Sequence, residues 1–173
     1  MFNNKDISYA AIAGATIGVA SFLGNVIRLG YLWDQILIPL IFLGFKQKRK
    51  TMPMLATAII ACIILSGYKF YLGFFVMAYY LIAECIYYFQ GKINLKSVIV
   101  VSFIYVIGYF GAWVIISHYI HGVDFAKVVY QITGARFQNK TVIALVMILE
   151  PLTFSFCYLY LFQIVKKVKI FNG

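Results

Sequence analysis

Apolar residues in this chain fall into six long runs, at about residues 8–27, 31–45, 51–67, 70–90, 96–120 and 141–165, with short polar gaps between them. At 1.5 Å per residue, about 20 residues cross a ~30 Å hydrocarbon core, so the pattern predicts membrane-spanning helices. The second and third runs, at about 15 to 17 residues, barely reach across. The expected architecture is all-α: one transmembrane domain over residues 1–173, built as an integral membrane bundle of six transmembrane helices. The first run could pass for a signal peptide. Its length of about 20 residues, with no small-x-small cleavage site followed by a polar segment, marks it as a retained span.

Composition supports this pattern, since 64% hydrophobic and 12% charged residues put the chain outside the soluble globular range. The basic residues then give an orientation. Lys5, Lys46, Lys48, Arg49, Lys50, Lys92, Lys96, Lys166, Lys167 and Lys169 occupy one alternate set of gaps, and Arg28, Lys69, Lys127, Arg136 and Lys140 the other. Positive charge is retained on the cytoplasmic side, so the larger set predicts both termini in the cytoplasm, as in a bacterial plasma-membrane protein. A net charge of +10 would otherwise suggest nucleic acid, but these residues sit at the ends of apolar runs and form no long basic stripe. Anionic lipid headgroups are the simpler counter-charge.

The longest gap, residues 121–140, places Phe125, Val128, Val129 and Ile132 at helical spacing, which predicts a short interfacial helix ended by Gly134. Cys62, Cys85 and Cys157 all lie inside apolar runs without metal-ligand spacing, so they read as packing residues.

Two acids fall inside the runs. Glu84 is near the end of the fourth and within interfacial reach of Lys92 and Lys96. Glu150 lies deep in the sixth, directly before Pro151. A carboxylate at mid-membrane is costly unless protonated or paired, which makes Glu150 a candidate ligand contact. Pro151 cannot complete its intrahelical bond and so leaves a carbonyl available beside it. The alternative is structural: Glu150 hydrogen-bonds a Thr, Tyr or Ser on a neighbouring helix.

On the external side, the first gap brings Asn25, Arg28, Tyr31, Trp33, Asp34 and Gln35, and the second Tyr68, Lys69 and Tyr71. The third adds His118, His121, Asp124, Arg136 and Gln138. Cationic, aromatic and amide groups converging over a bundle suit a small planar or anionic organic molecule. The expected ligand-binding residues are Asn25, Arg28, Trp33, Asp34, Tyr68, Arg136 and Glu150. The same residue types also gather at any membrane interface.

The first run carries small residues four apart, Ala11 with Ala15, Gly14 with Gly18 and Ala10 with Gly14, a spacing that lets helices approach closely within the chain or across a partner interface. Motifs for hydrolysis or group transfer are missing: there is no phosphate-binding Gly-Lys-Ser/Thr loop, G-x-G-x-x-G, H-E-x-x-H or G-x-S-x-G. No cofactor or metal is expected, and active transport would require a partner to supply energy.

In size, basic charge, span count and the Ala11-x-x-x-Ala15 pattern, the chain resembles the substrate-binding S components of energy-coupling factor (ECF) vitamin transporters. The resemblance implies capture of a water-soluble vitamin or precursor near the external face. It also implies a transmembrane coupling protein docked on Ala11 and Ala15, with two cytoplasmic ATPases below it. The alternative reading is a non-transport multi-span scaffold that organises envelope-synthesis proteins. A third is a small membrane enzyme or proton-coupled carrier centred on Glu150, which would require polar partners around that acid.

Overall fold

Gly14 and Gly18 mark the tightest helix crossing in the computed structural model, which describes residues 4–27, 31–46, 51–123, 127 and 140–167. A Cβ at Gly14 would lie 2.8 Å from Ile60 and from the Thr57 carbonyl oxygen, and one at Gly18 would lie 2.8 Å from Ile64. Helix α1 (Asn4–Val26) therefore presses directly on α3 (Thr51–Lys69). The order of these contacts means that the two helices run parallel. In hydrocarbon, backbones held this close gain van der Waals contact that larger side chains would prevent.

Helix α2 (Tyr31–Lys46) packs against α1 and α4 (Leu72–Tyr88), and α4 forms an antiparallel hairpin with α3 through a turn at Phe70 and Tyr71. Cys62 Sγ donates to the Gly73 carbonyl at 3.5 Å across that hairpin. A second turn leads into α5 (Leu95–Ile120), where Gln90 and Gly91 take φ of 53° and 67°. Asn94 caps α5 reciprocally: Ser97 N donates to Asn94 Oδ1 at 2.8 Å, and Asn94 N donates to Ser97 Oγ at 3.1 Å. Two π-helical turns, Val106–Phe110 and Ile116–Ile120, interrupt the α-helical winding of α5. Helix α6 (Lys140–Lys167) runs back along α5, with Gln163 Nε2 donating to the Gly91 carbonyl at 2.9 Å.

The interior is built from rings as much as from aliphatic chains: Tyr79, Tyr105, Tyr109, Tyr158 and Phe42 are all fully enclosed. Helix α4 touches α2, α3, α5 and α6, and so forms the centre of the bundle. Following these contacts, Lys5, Lys92, Lys96, Lys166 and Lys167 share one end. Lys69, Tyr71 and His121 lie at the other, where the rings of Tyr71 and His121 meet edge to face at 5.8 Å.

The expectation of six transmembrane helices needs correction. Among the described residues, three helices are long and apolar enough to cross a membrane: Asn4–Gly24, Leu95–Ile120 and Ile148–Lys167. The apolar parts of the other three, Gln35–Gly44, Pro53–Lys69 and Leu72–Tyr88, are shorter than the ~20 residues a span needs. The second and third runs are short in the sequence itself, and for the fourth, turns are the physical reason. Phe70, Tyr71 and Phe89 are apolar in sequence but belong to turns, so the run at 70–90 overstates its helix at both ends. With the count of crossings changed, the assignment of both termini to the cytoplasm loses its basis. The protein is an all-α, multi-pass membrane protein. The helix expected around Phe125, Val128, Val129 and Ile132 lies outside the described residues.

Candidate functional site

A chain of hydrogen bonds joins three helices through the aromatic core. Gln35 Nε2 on α2 donates to the Tyr105 hydroxyl on α5 at 3.1 Å, and that hydroxyl donates to Glu150 Oε1 on α6 at 3.3 Å. Tyr158, two turns further along α6, donates its hydroxyl to the Gln35 backbone carbonyl at 2.7 Å. Gln35, Tyr105 and Tyr158 are at most 1% exposed, and Glu150 is half-buried. Ten residues separate Leu95 from Tyr105, about 15 Å along the helix and half the depth of a ~30 Å core. Polar groups at that depth satisfy one another or remain unsatisfied at a cost.

Local structure fixes the geometry. The Tyr105 ring is stacked on Phe154 at 5.7 Å with planes 7° apart, and on Tyr109 at 5.0 Å with planes 26° apart. Phe110 meets it edge-on at 6.0 Å. Enclosed by these rings, its hydroxyl meets Gln35 and Glu150. A π-helical turn opens at Val106, directly after Tyr105, the kind of irregularity that often accompanies functional sites. Helix α6 continues through Pro151, whose own carbonyl accepts from Ser102 Oγ at 3.3 Å. Beside the acid, α5 and α6 are thus bridged twice.

The donors in this chain all point toward Glu150, which accepts from Tyr105 and keeps further lone pairs for another donor. At the far end, Gln35 Oε1 is buried and has no hydrogen-bond partner among the described residues, as is also true of Ser155 Oγ. A buried amide oxygen left in this state costs roughly 1–3 kcal/mol. Gln35 Oε1 and Glu150 are thus acceptors at the two ends of one hydrogen-bonded chain. Among the described residues, no group of three or more His, Cys, Asp or Glu side chains could hold a metal.

The expected ligand-binding residues do not all gather here. Glu150 is in the network. Tyr68 is at the other end of α3, edge-on to Phe22 at 4.9 Å and beneath the Lys69 ammonium at 5.1 Å. Arg28 and Arg136 lie outside the described residues, as do the side chains of Asn25, Trp33 and Asp34. Glu84 interacts with the Tyr80 hydroxyl one turn earlier on α4. Ala11 is exposed and Ala15 half-buried, whereas Ala10, Ala13, Gly14 and Gly18 face inward.

No protein-family model, curated protein or solved structure matches this chain.

Nothing in the sequence singles out Tyr105 or Tyr158, and Gln35 follows directly on the outer-loop residues Trp33 and Asp34. The available signal was weak: a buried tyrosine needs a partner for its hydroxyl, but the chain has 14 tyrosines and nothing local distinguishes these two.

Proposed function

We propose that this protein is a membrane-embedded capture subunit for a small water-soluble organic molecule, with the Gln35–Tyr105–Glu150 chain as its polar anchor. The observation that carries the reading is Gln35 Oε1, a buried acceptor without a partner among the described residues, tied through Tyr105 to an intramembrane acid. Intramembrane acids with polar partners mark substrate and ion pathways. A guest carrying two hydrogen-bond donors on a flat ring would complete both ends of the chain and stack on the surrounding aromatics. The same reading takes the guest to be a vitamin or vitamin precursor and the protein to resemble an ECF S component. Delivery would then depend on a transmembrane coupling protein and two ATPases.

Mass spectrometry of small molecules retained by the purified protein tests this. The wild type is expected to carry a planar, donor-bearing compound, and Glu150→Gln to retain it roughly ten- to a hundredfold less well, the cost of a lost charge-assisted bond. If the wild type retains no small molecule when prepared from membranes of its native host, capture is overturned and a scaffold role is favoured.

Substitutions along α1 test partner docking against internal packing. Ala11→Leu and Ala15→Leu, at an exposed and a half-buried position, are expected to weaken co-purification of a coupling protein while preserving thermal stability and ligand retention. Gly14→Leu, driven into Ile60 and the Thr57 carbonyl, is expected to destabilise the chain by roughly 1–3 kcal/mol. Equal loss of stability in all three variants would remove the case for a docking face.

A further inference from the structure

A second feature lies on the opposite side of α5 from the aromatic core. Between α4 and α5 runs an apolar groove of about 580 Å³, lined by Leu81, Glu84 and Tyr88 on one side and Val100, Phe103 and Ile107 on the other. It is open laterally, with Tyr88 83% and Phe103 64% exposed. Toward the bundle's middle it is closed where Gly108 meets Ala78, so closely that a Cβ on Gly108 would lie 3.1 Å from the Ala78 Cβ. The turn at Phe89–Asn94 lies at the other end, and there Lys92 and Lys96 are exposed.

We propose that this groove seats one acyl chain of an anionic phospholipid, with its headgroup held by Lys92 and Lys96. Three features carry the assignment. Lys96, Val100, Phe103 and Ile107 follow one another at helical spacing, so the cation stands at the head of the same stripe that lines the groove, and a helical side chain leans toward the N-terminal end, here the mouth. From Lys96 to Ile107 is about 17 Å, close to half of a ~30 Å hydrocarbon core and therefore to the depth of one leaflet. Charge favours an anionic headgroup, since two exposed lysines outnumber the one acid in the groove, and Glu84 is already engaged by Tyr80. A trough bordered by hydrocarbon forfeits dispersion contacts unless an apolar chain fills it.

Native mass spectrometry of the full-length protein, with phosphatidylglycerol or phosphatidylcholine of matched chains added to the detergent, tests the seat. The wild type is expected to retain one phosphatidylglycerol in preference to phosphatidylcholine. The double variant Lys92→Gln/Lys96→Gln, which changes only exposed side chains, should lower that retention by roughly tenfold to thirtyfold. Val100→Trp, which fills the groove, should displace both lipids. Three results would overturn the proposal: equal retention of the two lipids by the wild type; loss in the lysine variant but not in Val100→Trp, which would indicate a headgroup patch without a seat; or a non-lipid molecule or protein helix displaced by Val100→Trp.

Discussion

Tyr105→Ala is expected to be among the most damaging single substitutions in the chain, because this one side chain serves both the packing and the polar network. The ring is fully buried and stacked on Phe154 and Tyr109. Its removal leaves a cavity among rings that cannot collapse into it, at a cost of roughly 3–5 kcal/mol. Tyr105→Phe separates the two roles. It keeps the stacking but deprives Gln35 Nε2 of its acceptor and Glu150 of its donor, so it should cost roughly 1–3 kcal/mol. Unfolding free energies in mixed micelles measure both. A double-mutant cycle between Tyr105→Phe and Glu150→Gln should give a coupling of roughly 0.5–3 kcal/mol. Additivity within experimental error would show that the 3.3 Å contact is energetically silent, and ligand retention unchanged by Tyr105→Phe would remove the hydroxyl from the site.

Helical, membrane-embedded character was legible in the sequence because it depends on hydropathy summed over long windows, and no local detail can reverse that sum. Helix length was not legible in the same way. A turn made of apolar residues looks the same as a helix to such a window, and Phe70, Tyr71 and Phe89 are of this kind. The turns they form leave α4 shorter than its run, and the ten-residue apolar stretch Gln35–Gly44 of α2 is shorter still. The close approach of α1 to a neighbour was written in its small residues, though spacing alone did not distinguish the glycine stripe that meets α3 from the Ala11–Ala15 stripe, of which Ala11 is exposed and Ala15 half-buried.

The candidate site was legible only at one member. Glu150 stands out as an acid deep in an apolar run, and local sequence is enough to see it. Its partners depend on the fold. Tyr105 is 45 positions away from Glu150, Gln35 is 70 from Tyr105, and Tyr158 reaches Gln35 across 123. Gln35 in particular adjoins Trp33 and Asp34, so composition placed it with the outer loop. Its side chain instead turns into the core, where an amide costs the least if it finds partners and the most if one of its ends stays empty.

Gly91→Ala is the second substitution expected to have a large effect, and its cause lies in the backbone. Gly91 takes φ of 67°, a region that a residue with a Cβ enters at roughly 1–2 kcal/mol. Its N–H donates to the Ile86 carbonyl at 3.1 Å and its carbonyl accepts from Gln163, so this turn closes α4, leads into α5 and holds α6. An added Cβ would run into the ring of Phe162, itself buried and packed edge-on against Tyr87 at 5.0 Å. Displacing a buried ring costs roughly a further 1–3 kcal/mol. Gly122 is the internal control: it has nearly the same φ, 63°, with none of the described residues within 4 Å of where a Cβ would stand. Thermal unfolding should therefore show Gly122→Ala with the backbone cost alone and Gly91→Ala lower by the additional clash, with part of that difference recovered when Phe162→Leu is combined with Gly91→Ala. Equal melting temperatures for the two glycine variants would mean that the turn does not press on α6, and the arrangement of α4, α5 and α6 around the basic end would have to be redrawn.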